Sequence, residues 1–280
     1  MKRTLFILLI FISPLYSFGQ GKLEKAEESL KSSKNDKVYI SESRPGNSYS
    51  FSDDDDDENG LLEGIGALFV EMVLYITYFS LIESPPEYEE KASTAFITKY
   101  PYLQNDKGNF AYDWGADTAL FRTTITNRFI AENRELYGNH LNVNTHFLRR
   151  TGVELDYLQL WEENTNFGNN SLAIFTVLAK YHRVRTEKFN LYWGIGATHI
   201  SGDIRSTGFT YGLGAEFFFV KPLSIVTNFN QTLFDTGTFD KFNVLLNYHT
   251  KRYKFSGGYE HLHIGEVNFS TFSAGIGISF

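Results

Sequence analysis

The chain ends on VNFSTFSAGIGISF, residues 267–280, and this stretch decides how the whole sequence is interpreted. Alternate positions read back from the end are apolar: Phe280, Ile278, Ile276, Ala274 and Phe272. The positions between them are small or polar: Ser279, Gly277, Gly275 and Ser273. A period of two predicts a β-strand with one apolar face. The rest of the sequence must indicate whether that face packs on a protein core or on lipid.

Similar alternation recurs along the C-terminal part of the chain, from about residue 110 onward. The predicted strands lie near residues 120–130, 141–147, 153–161, 171–182, 189–200, 209–219, 223–234, 241–249, 252–264 and 267–280. Most are longer than the ~5–6 residues of soluble sheets, and their lengths are typical of tilted membrane strands. The pattern predicts an all-β fold, a membrane-spanning antiparallel up-and-down barrel of about ten strands.

The connections between these strands differ in kind. Those at 149–152, 185–188, 220–222 and 250–252 are tight and basic, whereas 163–170, 201–207 and 234–240 are richer in Gly, Asn and Asp. This alternation predicts short turns at one rim and longer loops at the other, with the short turns facing the periplasm. An even strand number would leave both barrel ends at one rim.

The alternation also assigns each side chain to a face of the sheet. One face is apolar and includes Phe121, Phe129, Leu155, Trp161, Phe175, Trp193, Leu213 and Phe242. The other face forms a predicted luminal network: Arg122, Arg128, Glu154, Asp156, Lys180, His182, Glu216, Lys241, Lys254 and Glu260. Parity alone fits a soluble barrel too, but strand length, rim asymmetry and an export signal favour lipid outside. The near-balance of bases and acids predicts a paired, side-chain-filled lumen.

The N-terminal region divides into three zones before the barrel at 110–280. Residues 1–19 have a basic start, an apolar core and a small-x-small site, which predicts a signal peptide cleaved after Gly19. Residues 20–60 are polar and charged and are predicted to form a disordered periplasmic leader. Its acidic run, 53–57, lacks the spaced ligands of a calcium loop.

Residues 61–109 comprise an apolar segment, 61–82, and a linker. Glu71 lies at the centre of the apolar segment, and a carboxylate there opposes a simple membrane span. We expect a helix beside the barrel at the membrane surface. A strand remains an alternative, because apolar positions also alternate in this segment.

Composition excludes several classes of function. The 280 residues contain no Cys, which rules out disulfides, thiolate metal sites and a cysteine nucleophile. A net charge of -7 gives no reason to expect nucleic acid as a partner. No cofactor or metal site is predicted, since His261 and His263 share one strand face but lack a third ligand.

One short motif raises the possibility of catalysis. His199 and Ser201 resemble the His-x-Ser of outer-membrane lipid A deacylases, in which His activates the Ser hydroxyl. The nearest downstream acid, Glu216, has luminal parity and is wrongly placed to orient His199. The sequence therefore favours a protein that is not an enzyme.

The C-terminal strand carries a family resemblance. Ser273, Gly275, Ile278 and Phe280 resemble the C-terminal assembly signal of Gram-negative outer-membrane β-barrel proteins. The cleavage region SFGQ and the paired connections resemble small barrels of Bacteroidota. The resemblance implies the outer membrane as location, its lipid as surroundings and the barrel-assembly machinery as a partner during insertion.

These observations predict a structural or surface-interaction protein of the outer membrane. A lipid A deacylase-like hydrolase and a small-solute channel are the alternatives. The sequence identifies neither a ligand nor a further partner.

Overall fold

The structure, a computed structural model, describes residues 21–32, 94–103, 106–164 and 168–280. The predicted signal peptide, the leader from residue 33 to 60 and the apolar segment 61–82 lie outside the described residues.

Ten antiparallel strands close into a barrel in which each strand pairs with its neighbours in sequence, and the last pairs with the first. The strands are β4 (Phe121–Ala131), β5 (Leu136–Phe147), β6 (Thr151–Asn164), β7 (Gly168–Arg185), β8 (Phe189–Ser201), β9 (Arg205–Val220), β10 (Leu223–Phe234), β11 (Gly237–Thr250), β12 (Tyr253–Ile264) and β13 (Val267–Ser279). Closure runs from the pair Phe272 and Ala131 to the pair Ser279 and Thr124. The predicted ten-stranded up-and-down barrel is confirmed.

The predicted difference between the two rims is wrong. One rim, here called the terminal rim, holds the start of β4, the end of β13 and the turns 148–150, 186–188, 221–222 and 251–252. The opposite rim, here called the hairpin rim, has connections just as short, such as 202–204 and 235–236. The polar residues interpreted as loops continue the ladders instead, as where Asn170 pairs with Glu162. Polar side chains stay in a strand when both backbone edges are paired.

Side chains sort between lipid and lumen as the alternation predicts. The outward face exposes large apolar residues, among them Phe121, Phe129, Leu155, Phe175, Ile195, Leu213, Phe217, Leu246, Phe255 and Phe272. One departure occurs in β7, where the register shifts between His182 and Val184. This bulge turns Arg183 and Arg185 away from the lipid face, and both are buried.

A helix, α1 (Lys22–Ser32), covers the lumen at the hairpin rim. This differs from the disordered leader predicted for these residues. Leu23, Ala26 and Leu30 are buried at helical spacing and pack in one cluster with luminal residues of the barrel. An isolated helix of this length is marginal in water, so its apolar stripe is stabilised by the barrel. Among the described residues no helix is long and apolar enough to cross a membrane.

A small sheet lies across part of the terminal rim. Its strands are β1 (Phe96–Thr98), β2 (Phe110–Ala111) and β3 (Thr118–Ala119), with β1 in the middle. Two hydrogen bonds join this region to the barrel. Tyr102 Oη donates to the backbone oxygen of Leu223 at 2.6 Å, and Arg185 Nη1 donates to the backbone oxygen of Ala95 at 3.0 Å. The predicted barrel range began at residue 110, but residues 110–119 belong to this cap.

Candidate functional site: the polar lumen

A network of five charged or titratable residues crosses the middle of the lumen. Arg128 Nε donates to Glu260 Oε1 at 2.8 Å. His140 lies 2.7 Å from Glu260 through Nδ1 and 2.7 Å from Asp156 through Nε2. Lys241 Nζ is 2.5 Å from Asp156 Oδ1. Because Asp156 is on β6 and Lys241 on β11, half the barrel apart, the network joins opposite walls.

His140 is the member of this network that sequence reasoning missed. The predicted strand began at Leu141, whereas β5 begins five residues earlier, at Leu136, and therefore includes His140. The parity of Asn142, Asn144 and His146 extends back to position 140 and could have placed the ring in the lumen. The ring is fully buried, and its Nδ1 also lies 2.8 Å from Arg128 Nη2. Nδ1 donates to Glu260 only when it carries a proton, and Nε2 then donates to Asp156 only if the ring is doubly protonated.

A second luminal group surrounds Lys180. Its Nζ is 2.8 Å from Glu154 Oε2 and 3.6 Å from the centre of the Tyr192 ring. The Tyr192 hydroxyl donates to Asn228 Oδ1. The carboxylate and the face of the aromatic ring both stabilise the charge of the Lys180 ammonium.

Arg122 and Glu216 connect the lumen to the cap at the terminal rim. Arg122 donates to Thr98 O at 3.0 Å and to Asn109 Oδ1 at 2.7 Å. Glu216 accepts from Asn109 Nδ2 at 2.5 Å and from Ser224 Oγ at 2.9 Å. Asn109 therefore bridges a luminal cation and a luminal acid that do not pair with each other.

His182 and Lys254 complete the predicted luminal set. His182 Nδ1 is 3.0 Å from Asn190 Oδ1. Lys254 lines the same luminal cavity as Arg122 and Glu216. All ten luminal residues predicted from parity thus face the lumen, although the sequence did not indicate which of them pair.

A chain of threonine hydroxyls lines the inner wall of β7 to β10. The Oγ1 atoms of Thr176, Thr198, Thr210 and Thr232 form successive contacts of 2.7 to 2.9 Å. Thr232 also donates to Thr198 at 3.1 Å. Each hydroxyl can donate and accept, so the four threonines can satisfy one another's hydrogen bonds.

Polar contacts fix α1 in the hairpin rim. Glu162 accepts from the backbone N–H groups of Lys22 and Leu23, both at 2.9 Å, where a helix N-terminus favours an anion. Lys22 Nζ lies 2.7 Å from Glu132 Oε1. Glu27 Oε1 accepts from Asp203 N at 2.9 Å, and burial is the main cause that raises the pKa of Glu27. The helix is therefore docked by specific contacts as well as by its apolar stripe.

The possible catalytic pair faces away from the lumen. His199 is exposed on the outer face, and its Nδ1 lies 2.8 Å from Thr207 Oγ1 on the neighbouring strand. Glu216 is in the lumen, held by Asn109 and Ser224. Within the described part of the chain, no acid orients His199 toward Ser201.

The two outer histidines of β12 are likewise apart from the lumen. His263 Nδ1 is 3.4 Å from Asp240 Oδ2, and His261 Nδ1 is 3.4 Å from Ser270 Oγ. Across the four described ranges, no group of three or more His, Asp or Glu side chains could hold a metal ion.

The residues of the predicted assembly signal lie along β13 and its end. Ser273 and Gly275 pair with Ile130 and Arg128 of β4, and Ile278 pairs with Ile125. Phe280 N donates to Thr123 O at 2.9 Å, and its side chain is 62% exposed at the terminal rim. The aromatic ring is thus free of the barrel interior.

Comparison with known proteins agrees with this architecture. A family described as outer membrane protein beta-barrel domain matches residues 104–249, just over half of the chain. No curated protein matches the sequence. The chain belongs to the outer membrane protein β-barrel domain family, which places it in the outer membrane. The similarity to barrels of Bacteroidota stays a prediction.

Solved structures with a similar fold are distant in sequence. The Yersinia pestis outer membrane protein Ail is 17% identical, covering 57% of this chain and 99% of its own, with a TM-score of 0.33. Neisserial surface protein A is 14% identical, covering 58% and 98%, with a TM-score of 0.31. An outer membrane channel from Pseudomonas putida F1 is 11% identical, covering 60% and 99%, with a TM-score of 0.37.

Proposed function

We propose that this protein is a closed, non-conducting outer-membrane barrel with a structural or surface-interaction role. The observation that carries the proposal is that the lumen is obstructed at three levels. Helix α1 covers the hairpin rim, the β1–β3 sheet covers part of the terminal rim, and the network of Arg128, Glu260, His140, Asp156 and Lys241 crosses between them. A wide aqueous pore normally requires about 16–18 strands. No catalytic role is proposed for His199 and Ser201.

Conductance in planar bilayers distinguishes a closed barrel from the channel alternative. Purified, folded protein is expected to give no reproducible conductance, because the side chains on opposite walls bond to each other across the lumen. A porin reconstituted in parallel confirms that the bilayers report channels. Steady, uniform channel openings from this protein would contradict a closed lumen and favour solute transport.

The orientation of the barrel decides which surface could meet a partner. Helix α1, residues 22–32, and the basic turns lie at opposite rims of the barrel. The sequence predicts both the leader and the basic turns on the periplasmic side, and these two predictions are incompatible for α1. We place the terminal rim in the periplasm, because the chain inserts from that side and both ends of an even-stranded barrel share one rim. The hairpin rim, with α1, then faces the cell exterior.

Single cysteines test this orientation directly, since the chain contains none. Glu24 on α1 and Lys188 in a terminal-rim turn are both exposed. A membrane-impermeant maleimide is expected to label Glu24→Cys in intact cells and Lys188→Cys only after the outer membrane is permeabilised. The unmodified chain serves as the blank. Labelling of Lys188→Cys alone in intact cells would invert the orientation.

A further inference from the structure

The lumen contains a cavity of about 100 Å³ between the central charged network and the terminal rim. The turn residues Lys251 and Arg252, both exposed, line it together with Pro101 of the cap, so the cavity reaches the terminal rim. Much of the remaining wall consists of side-chain amides: Asn109, Asn142, Asn144, Asn190, Asn228, Asn230, Asn243 and Asn247. Amides offer both donors and acceptors, so this wall can hydrogen-bond a polar guest.

The charges around the cavity are unequal. Three luminal cations are matched by carboxylates, in the pairs Arg128 with Glu260, Lys180 with Glu154 and Lys241 with Asp156. Arg122 and Lys254 also line the cavity below the rim turns, and among the described residues neither forms an ion pair with a carboxylate. Arg122 is held by neutral acceptors.

Lys254 is the more available of these two cations. Among the described residues no carboxylate lies within ion-pair distance of its Nζ, and no hydrogen bond is made to it. Its neighbours across the two adjacent strands are His249, which contacts Ser224, and Gly277, which has no side chain. Glu216, an acid that lines the same cavity, is bonded to Asn109 and Ser224 and forms no ion pair with Lys254. The ammonium therefore lacks a counter-charge in direct contact.

An unpaired cation in a narrow lumen is costly, and an anion bound beside it would offset that cost. The space is large enough for a small group and too small for a polymer. Oxyanions match the site chemically, because their oxygens accept both from an ammonium and from amide N–H groups. Entry from the terminal rim passes Lys251 and Arg252, whose charges attract anions.

We propose that this cavity is a binding site for a small oxyanion of the phosphate or carboxylate class, with Lys254 as its charged contact. The site goes beyond the structural role proposed above and does not depend on it. Bound anion would neutralise the excess positive charge of the terminal half of the lumen.

The probe for this site is inorganic phosphate, titrated calorimetrically into the full folded chain in detergent at constant ionic strength, with chloride as the comparison salt. We expect saturable binding of phosphate and a matching rise in the thermal unfolding temperature, since a ligand that binds only the folded state stabilises it. Lys254→Gln is expected to weaken phosphate binding at least about tenfold, because a charge-assisted contact is lost. Lys188→Gln removes an equal charge from the same rim outside the cavity, and should bind phosphate normally.

Two results would overturn the proposal. One is the absence of saturable heat with phosphate, and with succinate in a second titration as the carboxylate probe. The other is equal affinity in Lys254→Gln and Lys188→Gln. If Lys254→Gln does not fold, Lys254→Arg keeps the charge and must retain binding, and its loss of binding would also contradict the assignment.

Discussion

Replacing Glu260 with Gln is expected to destabilise the folded barrel by about 3–5 kcal/mol, the usual cost of breaking a buried ion pair by removing one partner. Glu260 is fully buried and meets both Arg128 Nε and His140 Nδ1. The substitution preserves the shape of the side chain but leaves the Arg128 guanidinium without a carboxylate. Denaturant unfolding of the barrel in lipid or detergent, followed by Trp fluorescence and by heat-modifiable gel migration, measures the loss.

A matched control separates burial from charge. Asp240→Asn also neutralises an acid that faces a histidine, but Asp240 and His263 are both partly exposed and 3.4 Å apart. An exposed pair contributes about 0–1 kcal/mol, so this variant should unfold nearly as the parent does. An equal loss of unfolding free energy in the two variants would show that the buried luminal network stabilises the barrel no more than an exposed ion pair does.

Replacing Phe280 with Asp is expected to lower the amount of protein in the outer membrane severalfold while leaving the finished barrel stable. The backbone N–H of Phe280 still bonds to Thr123 O, and the ring is exposed at the rim. A charged residue near the interface costs only about 0–1 kcal/mol. That cost is too small to unfold a barrel, so a large loss would point to recognition during assembly.

Tyr253→Asp is the control for Phe280→Asp. Tyr253 is 50% exposed on the lipid side of the same rim, and it pairs with Ile278 of β13. The substitution Tyr253→Asp introduces the same charge at a similar depth in the membrane, but position 253 lies outside the C-terminal motif. Outer-membrane fractions from cells carrying each variant are compared by immunoblot. Equal yields of the two variants would remove the support for an assembly signal at Phe280.

Alternation was sufficient to predict the barrel, because each strand must present opposite faces to lipid and to the lumen. The predicted strand 223–234 coincides with β10. The strand ends at the hairpin rim could not be predicted in the same way. There the outer face leaves the apolar band, so polar side chains occupy both faces and resemble a loop.

Local irregularity and long-range docking account for the remaining differences. The bulge in β7 reverses parity for Arg183 and Arg185, and no sequence period announces it. Helix α1 could have been suspected from the spacing of Leu23, Ala26 and Leu30, but its place in the barrel depends on contacts remote in sequence.

The pairing of luminal charges depends on how the strands are staggered around the barrel. Asp156 and Lys241 meet because closure brings β6 opposite β11. Sequence alternation assigns both residues to the lumen but contains no information on which wall each will face. The composition of the site was therefore predictable, and its connectivity was not.

The position of the two caps in the chain has a consequence for the order of assembly. Helix α1 and the β1–β3 sheet are synthesised before any barrel strand, yet their docking surfaces exist only after the barrel closes. The backbone N–H of Leu23 donates to Glu162 of β6, and the backbone N–H of Glu266, just before the last strand, donates to the hydroxyl of Ser29. Contacts so distant in sequence form late, after the loops between them close. We therefore expect the N-terminal helix to dock only after the barrel has closed, and limited proteolysis that removes it should leave the barrel intact.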